Sequence, residues 1–221
     1  MDLIVDTSSE RLQVILSDSV AFIQNKTTNP KHLKHLLPQI DNLLTQKCVD
    51  LSDIKTFCVV VGPGSFTGVR IGVSTIKAFS IVNKKAKLIA IDMLDLLEYK
   101  IRKMKSNICD FCIAIKSTST KFYVSHQNKD STKCFRKMLT IEELSEIITN
   151  KNMSLYSFAQ DLTLNNVVAT KVELDAKDYI EFVGILKEKK KYVSESDLRP
   201  VYMALSQAEE ELAKKEKLKN A

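Results

Sequence analysis

Gly62-Pro63-Gly64-Ser65-Phe66-Thr67-Gly68-Val69-Arg70-Ile71-Gly72 is the stretch on which the reading of this chain turns. Four of the five glycines in 221 residues fall inside it. Phe57 to Val61, just before, is a continuous apolar run, the pattern of a strand buried on both faces. A helical pattern follows, to about Asn83. Glycines at such a strand-to-helix turn permit positive φ and close backbone approach. Ser65 or Thr67 is placed to cap the helix. Free N–H groups at its start would suit a phosphate or carboxylate.

Three catalytic patterns come close and fail. A phosphate-binding P-loop needs a Lys after its last glycine, and Val69 follows Gly68. The dinucleotide fingerprint needs G-x-G-x-x-G, and here the third glycine is one residue late. A nucleophile elbow needs G-x-S-x-G, whereas Ser65 directly follows Gly64. No catalytic residue is assigned.

The helix after the turn carries two apolar faces. At 100° per residue, Arg70, Ser74 and Lys77 form one narrow polar stripe. Val69, Ile71, Val73, Ile76, Ala78, Phe79, Ile81 and Val82 occupy most of the rest. One face can lie on its own sheet. The second needs another cover, either the amphipathic stretch at 30–47 or a partner protein. The reading favours a partner, with Leu33, Leu36, Leu37, Ile40, Leu43, Phe66, Val69, Val73 and Ile76 as the interface.

Outward from this region the chain alternates strands and helices. Leu3-Ile4-Val5 is a short strand ending in Asp6-Thr7-Ser8, and a hairpin follows over 12–16 and 20–24. Leu33, Leu36, Leu37, Ile40, Leu43 and Leu44 mark a helix over 30–47, with Pro30 in its first turn and Pro38 expected to kink or shorten it. A strand at 88–91 and a helix at 93–104 close this half. The pattern then restarts, with strands at 109–115, 121–125 and 132–139. A helix at 141–148 is capped by Thr140 and Glu143. Strands at 154–158 and 167–172, a helix at 175–190 and a strand at 201–203 follow. The expected organisation is two α/β lobes, 1–105 and 106–204, and a charged helical tail at 205–221.

Hydrophobic residues make up 44% and charged residues 27%, an ordinary globular balance that argues against general disorder. The net charge of +6 is spread along the chain, without a block able to act alone as a nucleic-acid arm. Lys84 to Lys87, Lys100 to Lys105 and Lys187 to Lys191 are basic runs without interleaved aromatics, and read as solvated faces. No apolar run approaches a membrane span, and the start at Met1-Asp2-Leu3 lacks a secretion signal, so a cytoplasmic protein is expected. Five cysteines then read as reduced thiols, and Cys109-Asp110-Phe111-Cys112 as strand residues near a core. His32 and His35 form a solvated helix face and not a metal site; His126 ends a strand without a visible partner.

The glycine-rich stretch resembles the signature of the TsaB (YeaZ) family. Ile4-Val5-Asp6-Thr7-Ser8 is similar to the family's opening strand and turn. His32-Leu33-Lys34-His35-Leu36-Leu37-Pro38 is similar to its His-x-x-x-Leu-Leu-Pro helix, and Arg199-Pro200-Val201-Tyr202 to its Pro-x-Tyr element. The resemblance is strong over 1–95 and thin afterwards. It implies two actin-like lobes, as in the sugar kinase and Hsp70 superfamily. It implies a non-catalytic subunit of the complex that adds threonylcarbamoyl to N6 of the tRNA adenosine beside the anticodon. Its partners would be the catalytic paralogue TsaD, bound through helices matching 30–47 and 65–82, and the ATPase TsaE. ATP and a metal ion would belong to those partners, with no cofactor or metal of its own. Without TsaD the chain would be either a monomer or a homodimer built on the same face, and tRNA contact would be indirect or weak.

Gly62, Pro63, Gly64, Ser65, Thr67, Gly68 and Arg70 make up the glycine-rich turn, and Asp6, Thr7, Ser8 and Lys116 would be vestigial or shared contacts of an actin-like nucleotide site. Lys116-Ser117-Thr118 stands where the family carries Asp-Ala-Arg, so a second carboxylate for a metal-bound phosphate is missing. The competing reading is an ATP-dependent phosphotransferase of the same fold, working through Asp6.

Overall fold

The computed structural model describes residues 1–18, 22–27, 32–128, 134–151, 153–158, 161–164 and 167–201; the side chains of 22–27, 32, 33 and 151 are not among those described. The first sheet contains β1 (Asp2–Asp6), β2 (Leu12–Ser17), β3 (Phe22–Thr27), β4 (Thr56–Gly62) and β5 (Lys87–Asp92). Their order is β3-β2-β1-β4-β5, with β1, β2 and β3 antiparallel and β1, β4 and β5 parallel. Helix α1 (His32–Lys47) links β3 to β4, α2 (Phe66–Val82) links β4 to β5, and α3 (Met93–Met104) leaves β5.

The second sheet repeats this plan. It contains β6 (Asp110–Lys116), β7 (Lys121–Asn128), β8 (Phe135–Thr140), β9 (Ser154–Phe158) and β12 (Thr170–Val172), in the order β12-β9-β6-β7-β8. Again the strands β6, β7 and β8 are antiparallel and β6, β9 and β12 parallel. Helix α4 (Ile141–Lys151) stands where α1 stood, and α5 (Ala176–Glu188) where α3 stood. In place of a second α2 there is a small hairpin, β10 (Thr163–Leu164) with β11 (Val167–Val168).

Strand periodicity sorts the side chains into layers. Leu3, Val5, Phe57, Val59 and Val61 face α1 and α2 in one core. Ile4, Cys58, Val60, Ile89 and Ile91 face the other way and share a central core with α3, α5 and Phe111, Ile113 and Tyr156 of the second sheet. The far face of that sheet, Cys112, Ala114, Phe122 and Val124, packs with Leu144 and Ile148 of α4. The result is helices, sheet, helices, sheet, helix. The change of sheet falls between Met104 and Asp110, yet the central core draws on both halves.

Several local expectations change. Pro38 neither ends nor shortens its helix: α1 runs through it to Lys47. The hairpin strands extend to Ser17 and Thr27, and the third strand of the second half begins at Phe135. Val201 is in no strand but donates its N–H to Val61 O at 2.8 Å. The strand residues expected at 202–203 and the tail 205–221 lie outside the described residues. His126 does have a partner: it is buried in β7, with Nε2 2.7 Å from Asp110 Oδ1. Of the C-x-x-C pair, Cys112 is buried and Cys109 exposed.

Candidate functional site

The glycine cluster is a seat for the turn after β1. A Cβ at Gly64 would lie 2.2 Å from Ser8 O, one at Gly68 1.9 Å from Thr7 O, and one at Gly72 2.5 Å from Thr7 Oγ1. Only glycine lets the two backbones approach this closely. Gly62 has φ +113°, in the region where side chains are strained, and the Gly62–Pro63 peptide is cis. The contact is fastened by hydrogen bonds: Ser65 N donates to Ser8 O at 2.6 Å and Thr7 Oγ1 to Gly68 O at 2.7 Å. Ser65 caps α2 by accepting from Gly68 N at 3.2 Å; Thr67 lies in the first turn. The arrangement presents the Asp6-Thr7-Ser8 backbone to the helix start.

Asp6, Thr7 and Ser8 are all buried. Asp6 Oδ1 accepts from Ser8 N at 2.8 Å and from Ser8 Oγ at 2.6 Å. Its other oxygen accepts from Tyr179 Oη of α5 at 2.5 Å. Gln13, opposite Asp6 across β1 and β2, donates Nε2 to the same phenol oxygen at 3.1 Å. Burial first, then the Asp6 charge, push the Tyr179 phenol well above its usual range, so it stays a donor. A metal-bound phosphate at Asp6 would have to displace Tyr179. Lys116 ends β6 and is exposed, whereas Asp6 is buried. Around them, Arg11 meets Glu173 at 3.0 Å and Arg136 meets Asp92 at 3.5 Å and also Asp95, further ties between the halves.

The expected partner face needs correction. Leu36, Ile40, Leu43, Val69, Val73 and Ile76 are buried together against the first sheet. The second cover for α2 is therefore in part α1 of the same chain, and these six side chains are not offered to a partner. The side chain of Leu33 lies outside the described residues. Leu37 at 54% and Phe66 at 39% exposure do face out. Ile81 at 56% and Val82 at 76% join them, and were not assigned from the sequence. A signal was present: the last turn of α2 holds apolar residues and no basic one, against the usual dipole preference. Thr67, Arg70, Ser74 and Ala78 occupy the rest of this outer side, with the Arg70 guanidinium 3.8 Å above the Phe66 ring. Among the described residues no group of three or more His, Cys, Asp or Glu is arranged to hold a metal ion, and no helix is long and apolar enough to cross a membrane.

Two sheets of one plan, each with three antiparallel and three parallel-paired strands sharing the first, define an actin-like α/β protein. A solved structure described as an uncharacterized protein with similarity to peptidase YEAZ from Pseudomonas aeruginosa has this fold, with a TM-score of 0.71 at 20% identity over 92% of this chain and 99% of that one. The chain belongs to the family described as TsaD: tRNA N6-adenosine threonylcarbamoyltransferase, matched over residues 22–217, and to its TsaB/YeaZ group. It is 27% identical over 164 residues to the tRNA threonylcarbamoyladenosine biosynthesis protein TsaB of Buchnera aphidicola subsp. Acyrthosiphon pisum, covering 74% of this chain and 68% of that protein. To the protein of the same name from Escherichia coli K12 it is 36% identical over 72 residues, which is 32% of this chain and 31% of that one.

Proposed function

We propose that the chain serves tRNA threonylcarbamoyladenosine biosynthesis as a subunit that docks on TsaD and does no chemistry itself. The names of its TsaB relatives give the pathway. The observation that carries the docking role is the outer side of α1 and α2, where Leu37, Phe66, Ile81 and Val82 keep 39–76% of their surface exposed although the inner side is already packed. Covering those side chains is favourable by roughly 25 cal/mol per Å² of apolar surface. Without TsaD the same face pairs with a second copy, since a self-complementary dimer needs only one patch.

The non-catalytic reading is supported by the fate of Asp6. Its carboxylate is committed to Ser8 and Tyr179 inside the protein. ATP and its metal ion then belong to TsaD and TsaE, and the complex works in the cytoplasm. The phosphotransferase alternative requires Tyr179 to withdraw from Asp6, and nothing observed favours it.

The test is a Leu37→Glu, Phe66→Glu variant titrated against purified TsaD. Both positions are exposed, so thermal unfolding should match that of the unaltered chain. The expected result is a loss of affinity of at least tenfold. Unchanged affinity in the folded variant would overturn the assignment of this face.

A further inference from the structure

Three basic runs stand in the sequence, and the fold treats them differently. In the middle run Lys100 is 2.7 Å from Asp178, Arg102 is 2.8 Å from Glu98, and Lys103 is bound to Glu181. Those charges are neutralised in place. The other two, Lys84-Lys85-Ala86-Lys87 and Lys187-Glu188-Lys189-Lys190-Lys191, are about a hundred residues apart in the chain. The fold joins them at one end of the first sheet. Val193 bridges Leu88 in antiparallel fashion, its N–H donating to Leu88 O at 3.0 Å. Lys87 Nζ stands 4.4 Å from the centroid of the Tyr192 ring. Lys55 belongs to the same end, because Lys87 N donates to its carbonyl at 2.9 Å. Asn83 Nδ2 ties the loop before Lys55 down through the carbonyls of Leu51, Ser52 and Ile54.

Lys55, Lys84, Lys85, Lys87, Lys189, Lys190 and Lys191 are exposed, and among the described residues none of them is ion-paired. Lys187 is not counted with them, being 2.8 Å from Asp2. Of the carboxylates nearby, Asp53 accepts from Asp50 N at 2.8 Å and Asp197 from Ser194 Oγ at 2.5 Å; Asp50, Glu188 and Glu195 face solvent. Helices α2 and α5 both end here, and each C-terminus carries about half a negative charge. Compensating two helix ends accounts for roughly one of the lysine charges. Set against these five carboxylates and the two helix ends, the seven lysines keep an excess of about one positive charge, carried on mobile side chains without ion-pair partners among the described residues.

We propose that this end of the first sheet binds the phosphate backbone of RNA, weakly and without base specificity. The inference rests on the proposed role in tRNA modification. Lysines reach phosphates as flexible point charges, and such contacts carry no sequence information. The Tyr192 ring is taken by Lys87, so the surface is not a base-stacking platform. It is continuous with the proposed docking face: Ile81 and Val82 lie just before Lys84 at the end of α2. RNA held by a partner on that face would run onto these lysines.

The experiment measures binding of the purified full chain to fluorescein-labelled tRNA between 50 and 200 mM salt. The expected result is a measurable affinity at low salt that falls steeply as salt rises. A Lys84→Gln, Lys85→Gln, Lys189→Gln, Lys190→Gln variant should bind at least tenfold more weakly at 50 mM salt, with the slope of log K against log salt flattened by about 3. A control with Lys137→Gln and Lys177→Gln, exposed elsewhere, should behave as the unaltered chain. An unchanged slope in the fourfold variant, or binding to phosphatidylserine vesicles with none to tRNA, would overturn the assignment. Titration against TsaD runs in parallel. TsaD binding without tRNA binding refutes only the RNA surface. Lysine-dependent tRNA binding without TsaD binding refutes only the docking role.

Discussion

Tyr179 Oη donates a 2.5 Å hydrogen bond to Asp6 Oδ2, joining the second half's last described helix to the end of the first strand, 173 positions away in sequence. The Tyr179 ring belongs to the core that the two sheets share. Both groups are buried, so each is satisfied by the other in a region of low dielectric.

Removing the phenol oxygen should therefore cost stability. Tyr179→Phe leaves the Asp6 carboxylate and the Gln13 amide each short of one partner. The expected loss is about 1–3 kcal/mol, read by urea unfolding at neutral pH. The pH dependence fixes the sign. The folded phenol titrates well above its ordinary value, whereas the unfolded one ionises at about 10. The stabilisation is complete below about pH 10 and declines as pH rises above it. The difference between the unaltered chain and Tyr179→Phe should shrink in that alkaline window. A difference that stays constant up to about pH 11.5 would contradict the assignment, as would none at neutral pH.

Glu173 offers a second pH test at the surface. The hydrogen bond from Arg11, then its charge, then Lys171, hold this carboxyl down at about 2. A carbon-detected titration should find it near that value in the folded chain. Arg11→Gln should return it towards the usual carboxylate range of about 4. Because the folded value is depressed, whatever this pair contributes is present above about pH 4.3 and lost as pH falls towards 2.

The glycines should separate cleanly. Gly68→Ala places a methyl 1.9 Å from Thr7 O, a backbone atom that cannot step aside. The expected cost is about 3 kcal/mol or more. A methyl at Gly184, inside α5, would meet nothing within 4 Å. Gly184→Ala should stabilise by about 0.5–1 kcal/mol. Paired thermal unfolding curves check both.

The inner and outer residues of α2 should also part company. Val73→Glu and Ile76→Glu bury a charge in the core shared with Leu36 and Ile40 and should leave little folded protein. Phe66→Glu lies outside that core and should keep its circular dichroism spectrum. Folded, soluble Ile76→Glu protein would contradict the packing described.

These contrasts mark what the sequence could and could not reveal. Helix Met93–Met104 and strand Ser154–Phe158 lie where period and composition put them, the helix because it buries one regular face and the strand because it is buried on both. The glycine-rich turn is legible as a place of close approach, but not what approaches it: Thr7 and Ser8 come from 61 and 56 positions before Gly68 and Gly64. The two-faced pattern of α2 is real, yet periodicity cannot tell a covering helix of the same chain from one of another. Hence Val73 and Ile76, which the pattern assigns outward, lie inward. Tyr179 gives no local signal, since a buried phenol needs a partner that only the fold supplies. Asp110 is likewise invisible as the partner of His126, being reached diagonally across two strands.

Docking of this chain on TsaD is read out by light-scattering mass on a sizing column. The chain is run alone and then mixed with purified TsaD, with and without ATP. The free monomer or homodimer should be replaced by a species with the summed mass of one copy of each, and Leu37→Glu, Phe66→Glu should prevent this. Two separate peaks at the masses of the free proteins, under both nucleotide conditions, would contradict docking.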